Sequence, residues 1–286
     1  MMRPQEITKE VDAMHTLVGL TSVFEGIASM HISQIKDQVL ESQDFFSELW
    51  NIYSQIRVGE SFHYGRGQDE APIYNRDLYV VITAEGGFSG DIDQRLIEWM
   101  LKQYDKTKQD IVVVGHHGAI QLAQQGIGFK KYFKLPDQDV GMNVEPLIKE
   151  VLKYQSCNVF YQTYVSLAQQ DVKRISLSNA VQELGKREVS TGGDIITEQT
   201  YIFEPNTFAL INHLERSMMQ ITVSQVIFDS KLAQYASRFR AMTLAHQKAD
   251  DTLLDFVTLL NRAKRAVKDE RLKETINGLR HVRAEL

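Results

Sequence analysis

The chain has almost no cysteine and no long apolar run, and each absence excludes a class of protein. Cys157 is the single cysteine among 286 residues, so no internal disulfide can form and we expect a reducing compartment. No apolar stretch is long enough to cross a bilayer, and the first residues lack the pattern of a signal or transit peptide. With a formal charge of −5, the chain is predicted to stay inside the cell, without direct membrane insertion and without a nucleic-acid partner.

Proline and glycine are both absent from residues 206 to 277, where apolar residues recur at alternating steps of four and three. A period of about 3.5 residues is typical of a long helix in a left-handed coiled coil, which at this length must protrude from a globular domain. Only Gln225 and His246 are polar at the two seam positions. The first position holds Ile211, Met218, Gln225, Leu232, Phe239, His246, Leu253, Leu260 and Val267, and the second holds Leu214, Ile221, Phe228, Tyr235, Met242, Ala249, Phe256 and Ala263.

The N-terminal region supplies a partner for this helix. Residues 6–57 contain no proline, and apolar side chains return at helical spacing through Leu17, Leu20, Phe24 and Ile27 and onward to Ile56. We therefore expect an antiparallel coiled coil within one chain, with Phe24 and Ile27 beside Phe256 and Leu260. The alternative is a homodimeric scaffold that pairs through the C-terminal helix.

The central segment changes to a strand and helix pattern. A buried strand at 77–83 and a glycine-rich turn precede a helix at 91–104, a second strand at 111–114 and a short helix ending at 125. A third helix at 143–154 and a strand pair at 158–167 and 172–177 follow, and a loop at 190–193 precedes residues 201–203. The predicted fold is α+β, with a small parallel sheet in a Rossmann-like α/β domain inserted between the two helices. Its segments are 1–58, 75–203 and 206–286.

No catalytic residue, cofactor site or metal site is predicted. The turn with Gly86, Gly87 and Gly90 lies where a phosphate loop would lie, but it has neither the dinucleotide fingerprint nor the lysine of a Walker loop. We expect a structural turn whose glycines let sheet and helix pack closely, and alanine at Gly87 would lower stability because it disfavours the backbone dihedrals of the turn. His116 and His117 are adjacent, without a carboxylate or cysteine at ligand spacing, which favours a plain turn over a metal site. A nucleotide-binding α/β enzyme remains the alternative.

The most specific motifs lie in the C-terminal helix. Residues 261–266 (NRAKRA) are similar to an Asn-Lys-Ala-Arg-Gln-Ala block, and Arg238 with Ala241 and Met242 matches an upstream Arg and Ala-Met pair. Residues 83–90 (TAEGGFSG) are similar to a Thr-Ser-Asp-Arg-Gly-Leu-Cys-Gly turn, and residues 204–205 to a Glu-Pro pair that opens the long helix. These motifs belong to the gamma subunit of rotary F-type ATP synthases, which the chain resembles over nearly its whole length.

The chain departs from that family at both ends. Ser22, Phe24 and Glu25 stand where the N-terminal signature has a lysine, a methionine and a second lysine. Lys264 and Arg265 replace an Arg-Gln pair, and a lysine cannot reproduce a bidentate arginine contact. The resemblance implies that Phe24, Glu25, Asn261, Arg262, Lys264 and Arg265 form one torque-transfer surface at a narrow end of the coiled coil.

The resemblance implies a non-catalytic rotor shaft that couples ion-driven rotation to ATP synthesis or hydrolysis. Its expected partners are the alpha and beta ATPase subunits, the epsilon subunit and the membrane proteolipid c-ring, and its expected place is the cytoplasmic face of a bacterial cell membrane. A gamma subunit of a hydrolysis-dedicated ion pump is the alternative within the family.

Overall fold

The computed structural model describes residues 3–56, 74–135, 143–177, 179–181, 204 and 206–284. In these residues the helices are α1 (Pro4–Gln55), α2 (Ile92–Leu101), α3 (His116–Gln124), α4 (Glu145–Val151) and α5 (Thr207–Ala284). The strands are β1 (Tyr74–Ile82), β2 (Gln109–Val114), β3 (Lys131–Phe133), β4 (Tyr154–Tyr164) and β5 (Gln170–Ser176). The loop predicted at 190–193 and residues 201–203 lie outside the described residues, and the predicted division into three segments stays a prediction.

Both long helices begin at a cap that the sequence encodes. The Asn206 side-chain oxygen accepts a hydrogen bond from the Ala209 backbone N–H at 2.7 Å, which satisfies a free donor in the first turn of α5. At the start of α1 the Glu6 carboxylate reaches back to the Arg3 N–H at 3.0 Å, and Pro4 occupies the first helical position. These caps, and the lack of internal proline, explain why each helix begins within a few residues of its predicted start.

The sheet has the order β3-β2-β1-β4-β5. Strand β1 pairs in parallel with β2 and β4, β2 pairs in parallel with β3, and β4 pairs antiparallel with β5. The α+β class with a parallel central sheet is confirmed, and the predicted strand pair forms its antiparallel edge. Strand β3 was missed because three residues are too short to carry an alternating pattern.

Helices cover both faces of this sheet. Alternate residues of β1 point to opposite sides, and both sets are apolar, so each face needs a covering layer. One layer joins Tyr79 and Val81 to Leu96, Ile97 and Met100 of α2. The other layer joins Leu78, Val80 and Ile82 to Phe46 of α1 and to Met218, Met219 and Val223 of α5. The N-terminal third of α5 is therefore buried against the sheet, which its even coiled-coil pattern did not reveal.

The chain divides into two compact units, residues 1–27 with 240–286 and residues 28–239. In the first unit α1 and α5 run antiparallel, since Ile7 and Val11 pack with Leu253 and Leu260. In the second unit the Tyr53 hydroxyl donates to the Glu215 carboxylate at 3.0 Å, and the His31 ring stacks on Tyr235 at 4.6 Å. Each unit thus contains antiparallel pairing within one chain, as predicted.

The register predicted for that pairing is wrong. Leu260 lies in a cluster with Ile7 and Val11, whereas the Thr243 hydroxyl donates to the Glu25 carboxylate at 2.8 Å. Phe24 and Ile27 do not face Phe256 and Leu260, and their side chains are 37% and 41% exposed. The prediction chose the more apolar side of α1, but the side that contacts α5 carries polar residues that find hydrogen-bond partners.

Candidate interaction surfaces and the central turn

The first unit exposes an apolar stripe on α1, formed by Leu17, Leu20, Val23, Phe24 and Ile27. These side chains are between 37% and 59% exposed, although all are large and apolar. Leu17, Leu20 and Phe24 each precede by one position a residue that packs toward α5 or bonds to it, namely Val18, Thr21 and Glu25. An exposed apolar stripe beside a complete coiled-coil seam is typical of a surface that a protein partner covers.

Polar contacts fix the seam beside this stripe. His246 Nδ1 lies 3.2 Å from the Val18 carbonyl oxygen and 3.3 Å from the Thr21 hydroxyl. Because a carbonyl oxygen only accepts, Nδ1 carries the proton, and the Thr21 hydroxyl donates in turn to the Leu17 carbonyl at 2.9 Å. His246 therefore acts in the seam as a hydrogen-bonded core residue, as a polar seam position can.

The residues predicted to form one torque-transfer surface separate into two places. Asn261, Arg262, Lys264 and Arg265 are all exposed on α5, flanking Leu260 and Ala263, which pack with Ile7 and Val11. Phe24 belongs to the apolar stripe, and Glu25 is engaged by Thr243. The prediction that these residues form a single patch is therefore corrected. It followed from the wrong register, which had placed Phe24 and Glu25 beside the basic residues. The exposed basic residues Arg262, Lys264 and Arg265 are called the basic patch below.

In the second unit the central turn is held by α5. The Arg238 guanidinium donates through Nε to the Gly87 carbonyl at 3.0 Å and through Nη2 to the Gly86 carbonyl at 3.2 Å. The Ser237 hydroxyl donates to the Ser89 carbonyl at 2.6 Å. Burial lowers the pKa of Arg238, against the effect of Tyr235 and Asp93, but the guanidinium remains charged.

The glycines of this region serve different needs. Gly90 has a φ of +69°, a conformation that favours glycine, whereas a Cβ added at Gly87 would meet nothing within 4 Å. Gly87 also has no positive φ, so neither close packing nor its backbone dihedrals require glycine there, and the predicted cost of alanine at Gly87 loses both reasons. The close approach occurs instead at Gly115, where φ is +99° and an added Cβ would lie 2.0 Å from the Thr83 carbonyl oxygen. Gly115 was not singled out by the sequence analysis.

A buried polar cluster lies next to the turn, at the carboxyl ends of β1, β2 and β4. Asp93 is 1% exposed, and its carboxylate accepts from Gln162 Nε2 at 2.5 Å and lies 3.0 Å from His117 Nδ1. The Gln162 carbonyl oxygen accepts from the Ser230 hydroxyl of α5 at 2.5 Å. The cluster, called the polar clamp below, consists of Asp93, His117, Gln162, Ser230 and Gln234.

The hydrogen bond to Asp93 raises the pKa of His117, against burial and the charge of Arg238, which lower it. Sequence analysis treated His117 as part of a plain turn. The missed signal was the carboxylate on α2, which stands far from ligand spacing in the sequence but meets the histidine in the fold.

The polar clamp fills the place where open α/β sheets usually bind ligands. Such ligands bind beyond the carboxyl ends of the strands, where the strand order reverses, which here is between β1 and β4. Asp93 and Gln162 occupy this place, and Ser230 and Arg238 of α5 close it. The chain's own side chains therefore occupy the place where such sheets usually bind a ligand.

Two absences hold for the part of the chain that the structure describes. No helix there is long and apolar enough to cross a membrane. No group of three or more His, Cys, Asp or Glu side chains there could hold a metal ion.

A family model described as ATP synthase matches residues 3–281. The chain belongs to the ATP synthase gamma-chain family. An ATP synthase gamma chain of Staphylococcus aureus is 24% identical over 286 residues, with 96% of this chain and 97% of the relative covered. One of Mycoplasmoides gallisepticum is 18% identical over 287 residues, with 97% and 99% covered. The family predicted from the sequence is confirmed.

Solved structures share this fold. The chain matches a subunit of Euglena gracilis mitochondrial ATP synthase with a TM-score of 0.64 at 13% identity, over 98% of this chain and 95% of that one. It matches a chain of the Tetrahymena thermophila mitochondrial ATP synthase central stalk and c-ring with a TM-score of 0.57 at 15% identity, over 79% of this chain and 99% of that one. The predicted fold class is confirmed by these likenesses.

The motifs that identify this gamma chain have different structural roles. Arg238 holds the central turn, and Met242 is buried in the seam of the first unit. Residues 261, 262, 264, 265 and 266 are exposed. Part of the motif pattern thus serves the protein's own fold, and the other part is exposed.

Proposed function

We propose that this gamma chain is the central rotor subunit of an F-type ATP synthase. In this role it couples ion-driven rotation of a membrane ring to ATP synthesis and hydrolysis at a ring of alpha and beta subunits. It is a non-catalytic subunit, peripheral to the cytoplasmic face of a bacterial cell membrane. Family membership over residues 3–281 supports this role, as do fold matches to chains in solved structures of an ATP synthase central stalk and of an ATP synthase rotor.

The observation that carries the proposal is the unlike surfaces of the antiparallel pair in the first unit. Its α1 side exposes the apolar stripe, while its α5 side exposes the basic patch. A shaft can bias several catalytic sites differently only when it makes different contacts with each of them. Two unlike flanks on one coiled coil meet this requirement, and a symmetric pair would not.

The two surfaces have different tasks in this proposal. The apolar stripe lies against the inner wall of the alpha and beta ring, where weakly directional contacts let the shaft turn. The basic patch, with Asn261, contacts acidic or polar loops of the beta subunits and transfers torque through charge-assisted hydrogen bonds. Phe24 contributes through the stripe, and Glu25 acts indirectly, because Thr243 already engages its carboxylate.

The α/β domain of the second unit takes the role of the foot that joins the epsilon subunit and the proteolipid c-ring. The filled crevice supports a structural rather than catalytic role for this domain, since Asp93 and Gln162 are bonded to the chain's own side chains. The antiparallel pairing inside each unit also speaks against the homodimeric scaffold, because α1 already covers the α5 seam.

The test is to express a tagged chain together with the alpha and beta subunits of the same organism, and to measure co-purification and ATP hydrolysis. We expect one complex that contains all of them and hydrolyses ATP, whereas the isolated chain has no turnover. A chain that purifies as a stable homodimer without alpha and beta subunits contradicts the proposal. ATP-driven proton or sodium uptake into vesicles that carry the whole complex then tests coupling.

A further inference from the structure

In the polar clamp each hydrogen bond has a fixed donor and acceptor, from α5 through Gln162 to Asp93. The Asp93 carboxylate accepts only, so Gln162 must turn its Nε2 toward Asp93, and its carbonyl oxygen then faces α5. That oxygen accepts from the Ser230 hydroxyl at 2.5 Å and from Gln234 Nε2 at 3.4 Å. The contact between Gln162 and Asp93 therefore sets which Gln162 atom faces α5.

Asp93 is a buried charge that needs compensation. Its oxygens also lie 3.3 Å from the Ala84 N–H and 3.4 Å from the Ser89 hydroxyl, but both of these donors are neutral. His117 Nδ1 at 3.0 Å supplies the nearest side chain that can become a cation, and it retains 28% exposure, so water can exchange its proton. A buried carboxylate is stabilised far more by a paired cation than by a neutral donor.

Charged groups on three elements face His117. Asp93 on α2 and Glu85 in the turn after β1 favour its protonated form, and Arg238 on α5 disfavours it. Glu85 is bonded elsewhere, to the His116 N–H, the Tyr132 hydroxyl and the Leu135 N–H. The position of His117 in the first turn of α3 also disfavours a cation. The direct contact with Asp93 outweighs these effects.

We propose that His117, Asp93 and Gln162 form a proton-controlled relay that fixes α5 on the carboxyl edge of the sheet, more firmly when His117 is protonated. His117 is a positioning residue here, since it acts on α5 through Asp93 and Gln162. The inference concerns the chain itself, and it holds or fails independently of its assembly into an ATP synthase.

The sign of the pH effect follows from the raised pKa of His117. The extra stability is fully present below the ordinary histidine pKa and is lost as the pH rises through the higher folded value. We therefore expect the amide protons of residues 230–238, corrected for intrinsic exchange, to lose protection between about pH 6 and about pH 8. A change of a few-fold is expected, because one pKa unit corresponds to about a tenfold change in an equilibrium constant.

The experiment is hydrogen exchange on the isolated full chain, with His117→Gln as the main variant. This variant should show the weaker amide protection at both pH values. It should lack the fall in protection between them, which is called the step below. His117→Lys, which stays charged, should show no step either, and Gln162→Met should remove the step without altering His117. The matched control is His116→Gln at the exposed neighbour, which should keep the step of the unmodified chain.

If His117→Gln keeps the fall in amide protection between the two pH values, the proposed relay is wrong. Equal loss of the step in His116→Gln also overturns it, because the step would then report general charge at the start of α3. Should the His117 variants not fold, Gln162→Met carries the same decision, since it leaves both charged partners in place.

Discussion

At the scale of single residues, buried polar groups rather than catalytic groups organise the second unit. Asp93 joins α2, α3 and β4, and the same cluster reaches α5 through Ser230. Thr83 has a similar task, since its hydroxyl donates to the Val114 carbonyl at 3.1 Å and accepts from the Gly118 N–H at 2.9 Å. Such bonds join the end of β1 to the end of β2 and to the start of α3.

Gly115 tests how closely those strand ends approach. In Gly115→Ala the new methyl group meets the Thr83 carbonyl oxygen, so we expect a loss of about 3 kcal/mol or more in the free energy of unfolding. Gly126→Ala is the matched control, because φ there is +70° but nothing lies within 4 Å. It should cost about 1 kcal/mol, from the backbone conformation alone. Equal losses in urea unfolding would show that close packing is not the cause.

Arg238 tests how firmly the central turn is held. Arg238→Lys keeps a positive charge but cannot donate to both the Gly86 and Gly87 carbonyls, so we expect a loss of about 1 to 2 kcal/mol in unfolding free energy. Arg262→Lys on the exposed part of α5 is the control and should stay within about 0.5 kcal/mol of the unmodified chain. A loss in the control as large as that in Arg238→Lys contradicts a specific grip on the turn.

At the scale of elements, the sequence predicted those features that have a regular period. The α5 seam is buried in the first unit at Met242, Ala249, Leu253 and Leu260, as its heptads indicated. The contacting side of α1 was not predicted, because it places Thr21 and Glu25 where an apolar rule expects leucine. Hydrogen bonds to His246 and Thr243 make these polar positions compatible with the seam, and such long-range partners leave no local pattern.

The polar clamp escaped prediction for the same reason. Its members stand on α2, α3, β4 and α5, separated by tens of residues, and each is an ordinary polar residue in its own segment. Only the sheet order brings them to one edge. By contrast, the glycine turn was recognisable, because several glycines in a few residues between a strand and a helix form a local pattern.

The register of the first unit can be tested by cysteine pairs. We expect Glu25→Cys with Thr243→Cys to form a disulfide within one chain, since the two side chains touch. Phe24→Cys with Leu260→Cys should not, because Leu260 packs near Ile7 and Val11. Native Cys157 is fully buried, so it gives little background. Mass spectrometry of oxidised monomers reads the result, and a crosslink only in the second pair would restore the rejected register.

The apolar stripe gives the second prediction at this scale. Leu20→Ser with Phe24→Ser should change the unfolding free energy of the isolated chain by less than about 1 kcal/mol, because both side chains are already substantially exposed. The same double variant should lower the yield of complex with alpha and beta subunits. The control, Ile7→Ser with Val11→Ser, removes buried seam residues and should cost about 4 kcal/mol or more in the isolated chain. Normal assembly of the stripe variant would show that no partner covers the stripe.

At the scale of the whole molecule, fold and sequence have diverged at different rates. Relatives of 18% and 24% identity align over nearly the full chain, and the fold persists at 13% identity. A coiled coil requires apolar residues at its seam but accepts many residue types on its flanks. An α/β core tolerates exchange between apolar residues of similar volume. In the motif at 261–266 only Ala263 packs in the seam, and the other five residues are exposed, so the proposed function assigns their similarity to the family motif to a partner contact.

That partner contact gives the last prediction. Lys264 and Arg265 are exposed and belong to no contact that stabilises the chain among its described residues, so replacing both with alanine should leave the isolated chain folded. If they grip polar loops of the catalytic ring, the loss of two charge-assisted contacts should reduce ATP turnover per assembled complex by about tenfold, while complex yield falls less. In the proposed function, assembly depends on the apolar stripe, which this variant leaves unchanged.

The control for this prediction is Lys268→Ala with Arg271→Ala, which removes the same charge from exposed positions outside the family motif. A general effect of net charge would weaken both variants alike and would depend strongly on salt, because exposed charges act over about one Debye length. A specific grip predicts loss of turnover only in the Lys264 and Arg265 variant, with its circular dichroism and unfolding free energy unchanged. Unchanged turnover in that variant would mean that the basic patch is a solvated helix surface, and torque would then have to pass through the apolar stripe alone.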